Sequence, residues 1–362
     1  MFQDIDLRQL AELEGPERAF LTLYLSGPDA LGSLDSRAER IRTLLARSPD
    51  ELEHFENSFE LLRGWLGDHP PAGAGCVFAC WALDFVRGWP LEVGVEDRLW
   101  IGPHPFLRPL AELQEEYESF AVVAADNRAS RIFLVASAVV SEEERVRGDV
   151  KNRVKKGGWS QKRYARRREN ELMHYGKEVA EALEELGRDH DFSRLVLLGQ
   201  PEATAAIEEA LSEPLRAKVV ARQAADVGET REALVEEAFE LFFAEERQAE
   251  ERLWDDIREE YLRGGLAAVG PTDVLKAALA GRAARVAVTR DAKIRGTRCK
   301  ECENVVHGTP RNCQACGSKQ VFEVDLVDEI TQIITRTSAE MEFVDPIEEL
   351  SEMGEMAALL RY

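Results

Sequence analysis

Four cysteines near the end of the chain have the spacing of a metal site. Cys299-Lys-Glu-Cys302 and Cys313-Gln-Ala-Cys316 are two CxxC pairs separated by ten residues. Each pair can wrap a tight turn so that both sulfurs reach one ion, and four thiolates complete the closed tetrahedron that structural zinc prefers. Gly317 suits the sharp turn after the second pair. His307 lies between the pairs but is unnecessary once four sulfurs bind. No open coordination position is implied, so the expected cofactor is a structural Zn2+ rather than a catalytic one. The segment around 295–322 has little apolar sequence of its own, and the metal would largely hold it folded. Cys76 and Cys80 sit in an apolar, strand-like run and read as small buried hydrophobes.

A second stretch invites a different chemistry. Residues 155–170 read KKGGWSQKRYARRREN. From Arg147 to Glu169 there are ten Lys or Arg against two acids, a local charge of +8 in a chain whose total is −22. The remainder therefore carries −30. Such polarity points to a polyanionic partner touched at one place. Gly157 and Gly158 leave room for a ligand to approach the main chain. Lys155, Lys156, Lys162, Arg163, Arg166, Arg167 and Arg168 bracket them, and cations of this kind bind phosphates regardless of base sequence. Trp159 offers a flat ring that can stack on an unpaired base, worth about 1–3 kcal/mol. The plainer reading of the same run is a solvated helix face with a glycine turn beside it.

These groups must be positioned by a fold that the rest of the sequence outlines. A chain of 362 residues exceeds one ordinary core, and 44% apolar with 31% charged residues describes a globular protein. The start, MFQDIDLRQLAELEGPE, lacks the basic and apolar regions of a signal peptide, and no apolar run is long enough to span a bilayer, so a cytoplasmic protein with no membrane partner is expected. The first section, 1–117, opens with a helical pattern, a strand at 19–26 and a helical stretch from Asp35 to Leu66 with Asp50 as N-cap candidate. A buried strand follows at CVFACWAL. The second, 118–245, begins with two β-rich runs, FAVVAAD and RIFLVAS, around a turn at Asn127-Arg128. A helix from Arg163 to Leu186 follows, with Leu172, Tyr175, Val179, Ala182, Leu183 and Leu186 on one side. RLVLLGQPE and KVVAR are strands, and their alternation with helices implies an α/β layer with some parallel pairing. The third, 246–362, is entered through a Glu-rich helix from about Thr230 to Arg263. It then runs helix and strand at 270–288, the cysteine module, and strand, helix, strand from Gln320.

The order of these residues resembles a known family. GGWSQKRYARRRENELMHYGKEVAEAL is similar to the middle-domain signature of the eukaryotic and archaeal class-1 release factors, in which a Gly-Gly-Gln loop precedes Ser and an Arg-aromatic-Ala-Arg helix. FLTLYL resembles the family's first strand, FAVVAADNRASRIFLVAS its middle-domain strand pair, and RLVLLGQPE its Leu-Val-Leu-Ala-Gly turn. GPTDVLKAALAGRAARVAV resembles the opening of its C-terminal domain, and AALLRY its closing Gly-Ile-Leu-Arg-Tyr. Archaeal members also carry a cysteine mini-domain. The resemblance runs colinearly along the chain. It implies a mixed α/β, three-domain release-factor-like architecture with a zinc-ribbon-like mini-domain inserted in the C-terminal domain.

Two departures shape what the resemblance implies about function. Trp159 stands where the family has its catalytic glutamine, and an indole N–H cannot copy a side-chain amide. Gln161 lies two residues on. The regions matching the family's stop-codon motifs read SLDSRAERIRTLL and LWIGPHPF, so stop-codon reading is not implied. The expected partners are the ribosome, through ribosomal RNA and the P-site tRNA, and a translational GTPase, with no DNA. Two activities stay open. In one the chain resembles the ANKZF-type peptidyl-tRNA hydrolases and rescues stalled ribosomes, with Gly157, Gly158 and Gln161 as catalytic residues and Lys155, Lys156, Trp159, Lys162, Arg163, Arg166, Arg167 and Arg168 on RNA. In the other it resembles the bacterial hibernation factor Balon and occupies the A site without chemistry.

Overall fold

The computed structural model describes residues 5–91, 93–116, 119–136, 139–147, 159–190 and 192–362. Its chain divides into two compact units, Met1–Glu116 with Glu250–Tyr362, and Tyr117–Ala249.

The second unit is built on a five-stranded mixed sheet. Its order is Val139–Arg147, Ala129–Ala136, Phe120–Ala125, Arg194–Gly199 and Val219–Gln223. The first three strands pair antiparallel and the last two are added in parallel. Asp126 sets the first hairpin by accepting the N–H groups of Arg128 and Ala129 at 2.7 and 2.8 Å. Every residue of Phe120–Ala125 is buried because both sheet faces are covered. One face takes the helices Trp159–Asp189 and Pro201–Ala210, through Tyr175, Val179, Leu183, Leu186 and Ile207. The other takes the first half of Arg231–Leu262, whose Phe242 stacks on Phe120 with centroids 4.8 Å apart. The strand Val139–Arg147 contains the acidic run 142–144, which lacks the apolar alternation that marks a strand.

Within the first unit, the chain's start forms a four-stranded antiparallel sheet. Its order is Phe85–Pro90, Gly75–Cys80, Phe20–Leu25, Arg98–Gly102. The helices Leu34–Leu45 and Pro49–Asp68 cover one face of it, the second through Phe55, Phe59, Leu62 and Leu66 at helical spacing. The stretch expected as helical from Asp35 to Leu66 is thus two helices. Pro49, lacking an N–H, occupies the first turn of the second with Ser48 at the N-cap position, so Asp50 lies inside the first turn rather than capping it. Cys76 and Cys80 are buried, and burial pushes the Cys76 thiol up to about 12.

The chain's last third adds a four-stranded sheet and a small ribbon. The sheet runs Ala267–Val269, Met356–Leu360, Ala283–Thr289, Glu340–Val344, with the final pair parallel. Helices Pro271–Leu279 and Leu326–Thr337 pack on one face, and Leu253, Trp254 and Ile257 belong to the cluster on the other. The ribbon has three antiparallel strands, Val305–His307, Arg295–Cys299 and Val321–Asp325.

Candidate functional site

The four ribbon cysteines converge. Cys299 ends a ribbon strand and Cys302 follows in its turn, while Cys313 and Cys316 lie in the next long turn. Their sulfurs all lie within 4.8 Å of one another. Cys299 Sγ is 3.6 Å from Cys316 Sγ, and Cys302 Sγ is 3.5 Å from Cys313 Sγ. A tetrahedron with metal–sulfur bonds of about 2.3 Å has edges of about 3.8 Å, so the set fits a zinc-sized ion. The backbone supports a thiolate at Cys313. The Ala315 N–H points at Cys313 Sγ from 3.4 Å, and hydrogen bonds from the Cys316 and Ala315 backbone hold the Cys313 thiol down at about 6. Gly317 closes this turn at φ +77, a left-handed conformation that glycine takes without steric cost. His307 is not in the cluster, because its Nδ1 lies 3.1 Å from Thr272 Oγ1.

The basic stretch falls partly on a helix. Lys155, Lys156, Gly157 and Gly158 lie outside the described residues. Trp159 is the first residue of the helix Trp159–Asp189, and Gln161, Lys162, Arg163, Arg166, Arg167 and Arg168 follow within it. At about 100° per residue, positions 162, 163 and 166 fall within about 60° of position 159, whereas 161 falls about 200° away. The residues this helix buries against the sheet, Tyr175, Val179, Leu183 and Leu186, centre near the direction of position 161. Positions 159, 162, 163 and 166 therefore share one arc by the helix period alone. Among the described side chains of this helix the first buried one is Tyr175, and the sixteen-residue rise from position 159 corresponds to about 24 Å of helix. Arg166 is exposed. Arg168 forms an ion pair with Glu202 at the start of the helix Pro201–Ala210, so part of its charge is already answered within the protein.

One glycine sets how closely these helices approach. A Cβ on Gly176 would stand 2.4 Å from the Ala206 carbonyl oxygen. Gly176→Ala is expected to lower the stability of the second unit by about 1–3 kcal/mol, the usual cost of overpacking, as read by chemical denaturation.

A buried polar cluster that no sequence motif announces lies at the start of the helix Leu326–Thr337. His104 Nε2 is 3.5 Å from Glu329 Oε1, and its Nδ1 is 4.0 Å from Asp328 Oδ2. Asp328 accepts the N–H groups of Leu107 and Arg108, each at 3.1 Å. Arg108 reaches Asp325 at 3.0 Å and Glu112 at 2.7 Å, while Arg298 reaches Glu329 at 3.3 Å. On the opposite side, Thr22 accepts the Phe106 N–H at 3.0 Å and Tyr24 donates to the Phe106 carbonyl at 2.7 Å. The segment 104–108 is thus held from two directions. No local pattern marks it, because the backbone partners Thr22 and Tyr24 lie 84 and 82 residues away in sequence and Asp328 lies 221 residues from Leu107.

A mixed α/β chain with several sheets, four converging cysteines and a long helix whose first turns are basic is similar to proteins of the release-factor-like class. Within that class, residues 105–242 match the model of bacterial archaeo-eukaryotic release factor family 10. The chain is 32% identical over 174 residues to the peptide chain release factor subunit 1 of Methanopyrus kandleri, a match spanning 46% of this chain and 42% of that protein. It is 27% identical over 281 residues to the Archaeoglobus fulgidus protein of the same name, spanning 71% and 69%. Among solved structures it resembles S. cerevisiae Dom34, described as a translation termination-like factor involved in RNA quality control, with 12% identity, 82% and 75% coverage and a TM-score of 0.43. Among the described residues, no helix is long and apolar enough to cross a membrane.

Proposed function

We propose that this protein is a translation factor that enters the ribosomal A site and presents the basic start of its long helix to the peptidyl-transferase centre, where it promotes hydrolysis of peptidyl-tRNA. The observation that carries the ribosome-binding part is the arc shared by positions 159, 162, 163 and 166 at one end of a long helix. Cations on that arc would hold ribosomal phosphates while Trp159 stacks on a base. In the hydrolytic step a water attacks the ester carbonyl, the backbone N–H groups of Gly157 and Gly158 stabilise the developing oxyanion, and Gln161 orients the water. The departing tRNA ribose oxygen takes up a proton as the peptide leaves as a free acid. Ribosomal RNA and P-site tRNA are the partners under this reading, with a translational GTPase as delivery factor. The cytoplasm would be the place of action. The four-cysteine ribbon would hold a structural Zn2+.

Occupancy without hydrolysis is a second reading. It is favoured by the helical placement of Trp159 and Gln161 on opposite sides, since position 161 then does not substitute for position 159. Ribosomes stalled with a peptidyl-tRNA separate the two. The hydrolytic reading requires co-sedimentation together with peptide release. Sedimentation without release selects occupancy, and no sedimentation removes both.

The salt dependence of ribosome binding tests the cationic arc independently. Replacing Lys162, Arg163 and Arg166 together by alanine is expected to lower the slope of log K against log salt by about 0.7–0.9 for each phosphate that is no longer neutralised. An unchanged slope would mean that these side chains are only solvated.

A further inference from the structure

The ribbon does more than enclose its cysteines. The side chains that flank them reach the segment before the first strand and the helix Pro49–Asp68 that packs on the N-terminal sheet. Lys300, next to Cys299, pairs with Glu51 in the first turn of the helix Pro49–Asp68. Arg298, on the other side of Cys299, lies 3.6 Å from Glu14 and is only 10% exposed. Phe322 is the cross-strand partner of Arg298, and the Arg18 guanidinium sits over its ring at 4.8 Å. Arg18 also lies 3.7 Å from Glu51, so Glu51 is shared between a cation from each side of the seam. Arg18 has φ +61, a left-handed backbone that non-glycine residues keep when their surroundings hold it.

We propose that the ribbon is an intramolecular clamp, in which metal binding at Cys299, Cys302, Cys313 and Cys316 fixes the N-terminal sheet against the C-terminal portion of the first unit. The physical reason is the sequence adjacency of the ligands and the seam. Arg298 and Lys300 are immediate neighbours of Cys299, and the strand carrying Phe322 is reached from Cys316 within six residues. Four metal–thiolate bonds would hold the ribbon strands Arg295–Cys299 and Val321–Asp325 in register. Without them, the short strands Arg295–Cys299 and Val321–Asp325 have little core of their own, and the charges opposite Glu14, Arg18 and Glu51 lose their fixed positions. Metal occupancy then governs the freedom of the N-terminal sheet.

This inference rests on the metal reading of the cysteines, so the test begins by measuring zinc per chain in the purified full-length protein. A stoichiometry near zero sinks the metal reading and the clamp with it. With zinc bound, hydrogen exchange is followed before and after chelation. The clamp predicts that peptides covering 14–19 and 49–55 lose protection by about tenfold or more, together with the ribbon, while the strand Ala283–Thr289 keeps its protection. Gly15 and Ala19 are suitable reporters, because their N–H groups are bonded to the carbonyls of Pro103 and Pro16 at 2.7 and 3.0 Å. Deprotection confined to 295–325 overturns the clamp while leaving the metal site intact. Loss of protection throughout the first unit also overturns it, because the metal would then support the whole core. Glu51→Arg provides a variant with all four cysteines present. It places a cation against Lys300 and Arg18 and is expected to deprotect 14–19 and 49–55 with zinc content unchanged. Unaltered exchange in that variant rejects the seam as the route of coupling.

Discussion

Replacing Gln161 by alanine is expected to reduce peptide release from stalled ribosomes about 100-fold, with ribosome co-sedimentation unchanged. The size follows from what such a group does. A positioned polar donor or acceptor at a developing tetrahedral centre contributes about 10²–10³ in rate, because it meets charge that exists only in the transition state. Trp159→Ala should behave in the opposite way. Losing one stacking platform costs about 1–3 kcal/mol of binding, roughly 5–150-fold in affinity, and leaves release at saturating protein nearly intact. The pair is informative because positions 159 and 161 lie on opposite sides of one helix turn. A residue on one side cannot cover for the other while the helix persists. If Gln161→Ala releases peptide at the wild-type rate, the water-positioning role is gone. If the wild-type protein binds and releases nothing, the factor occupies the A site without chemistry and Trp159 becomes the residue of interest.

The second large effect concerns His104. Burial on its own would lower the pKa of this imidazole, but the Glu329 carboxylate 3.5 Å from Nε2, joined by Asp328, outweighs burial and leaves it raised. Burial raises Asp328 to about 7 against the opposing pull of His104. Burial would raise Glu329 too, yet His104 and Arg298 hold it below the ordinary carboxylate range. Arg108, Asp325 and Glu112 complete the charged surroundings. His104 and Asp328 both bind protons more tightly in the folded chain. Their contribution is therefore fully present below their unfolded pKa values, about 6.5 and 3.9, and is lost as pH rises through the raised folded values. Glu329 acts with the opposite sign, and its contribution disappears on acidification below the ordinary glutamate value.

The first unit is accordingly expected to be most stable near pH 5 and to weaken steadily toward pH 8. His104→Ala should cost about 3–5 kcal/mol at pH 6, because it takes the imidazolium away from the buried Glu329 and leaves Arg298 as that carboxylate's remaining partner. His104→Gln keeps a hydrogen-bonding side chain but removes the titration, and should flatten the histidine part of the profile. Five of the six tryptophans lie in this unit, and Trp100 stacks on His104 with ring centroids 5.6 Å apart, so indole fluorescence reports the transition locally. A stability that rises between pH 6 and pH 8 would contradict this account.

Much of the architecture was legible locally because it is encoded at short range. The apolar runs at 120–125 and 194–199, the turn at Asn127-Arg128, the apolar side of the helix carrying Tyr175 and Val179, and the helix–strand unit after Gly270 all follow from periods and turn chemistry. Two CxxC pairs at close spacing bring four sulfurs together by chain geometry alone, whatever surrounds them. The face shared by positions 159, 162, 163 and 166 was not legible in this way, because the helix expected from Arg163 starts at Trp159. The misplaced cap at Asp50 shows the limit even there, because Pro49 shifts the start of the helix by its missing N–H.

Other features depended on residues distant in sequence. Nothing within reach of His104 announces Asp328 and Glu329, nothing near Arg18 announces Phe322, and nothing near Arg168 announces Glu202. The acidic strand Val139–Arg147 is held by pairing with its neighbour rather than by any pattern of its own. Each of these arises when the chain has already closed loops of tens to hundreds of residues, and their energies depend on desolvation at places that exist only in the folded packing. A carboxylate beside a buried imidazole and one in water are the same letter in the sequence. The difference between them is made by what the rest of the protein brings to cover it.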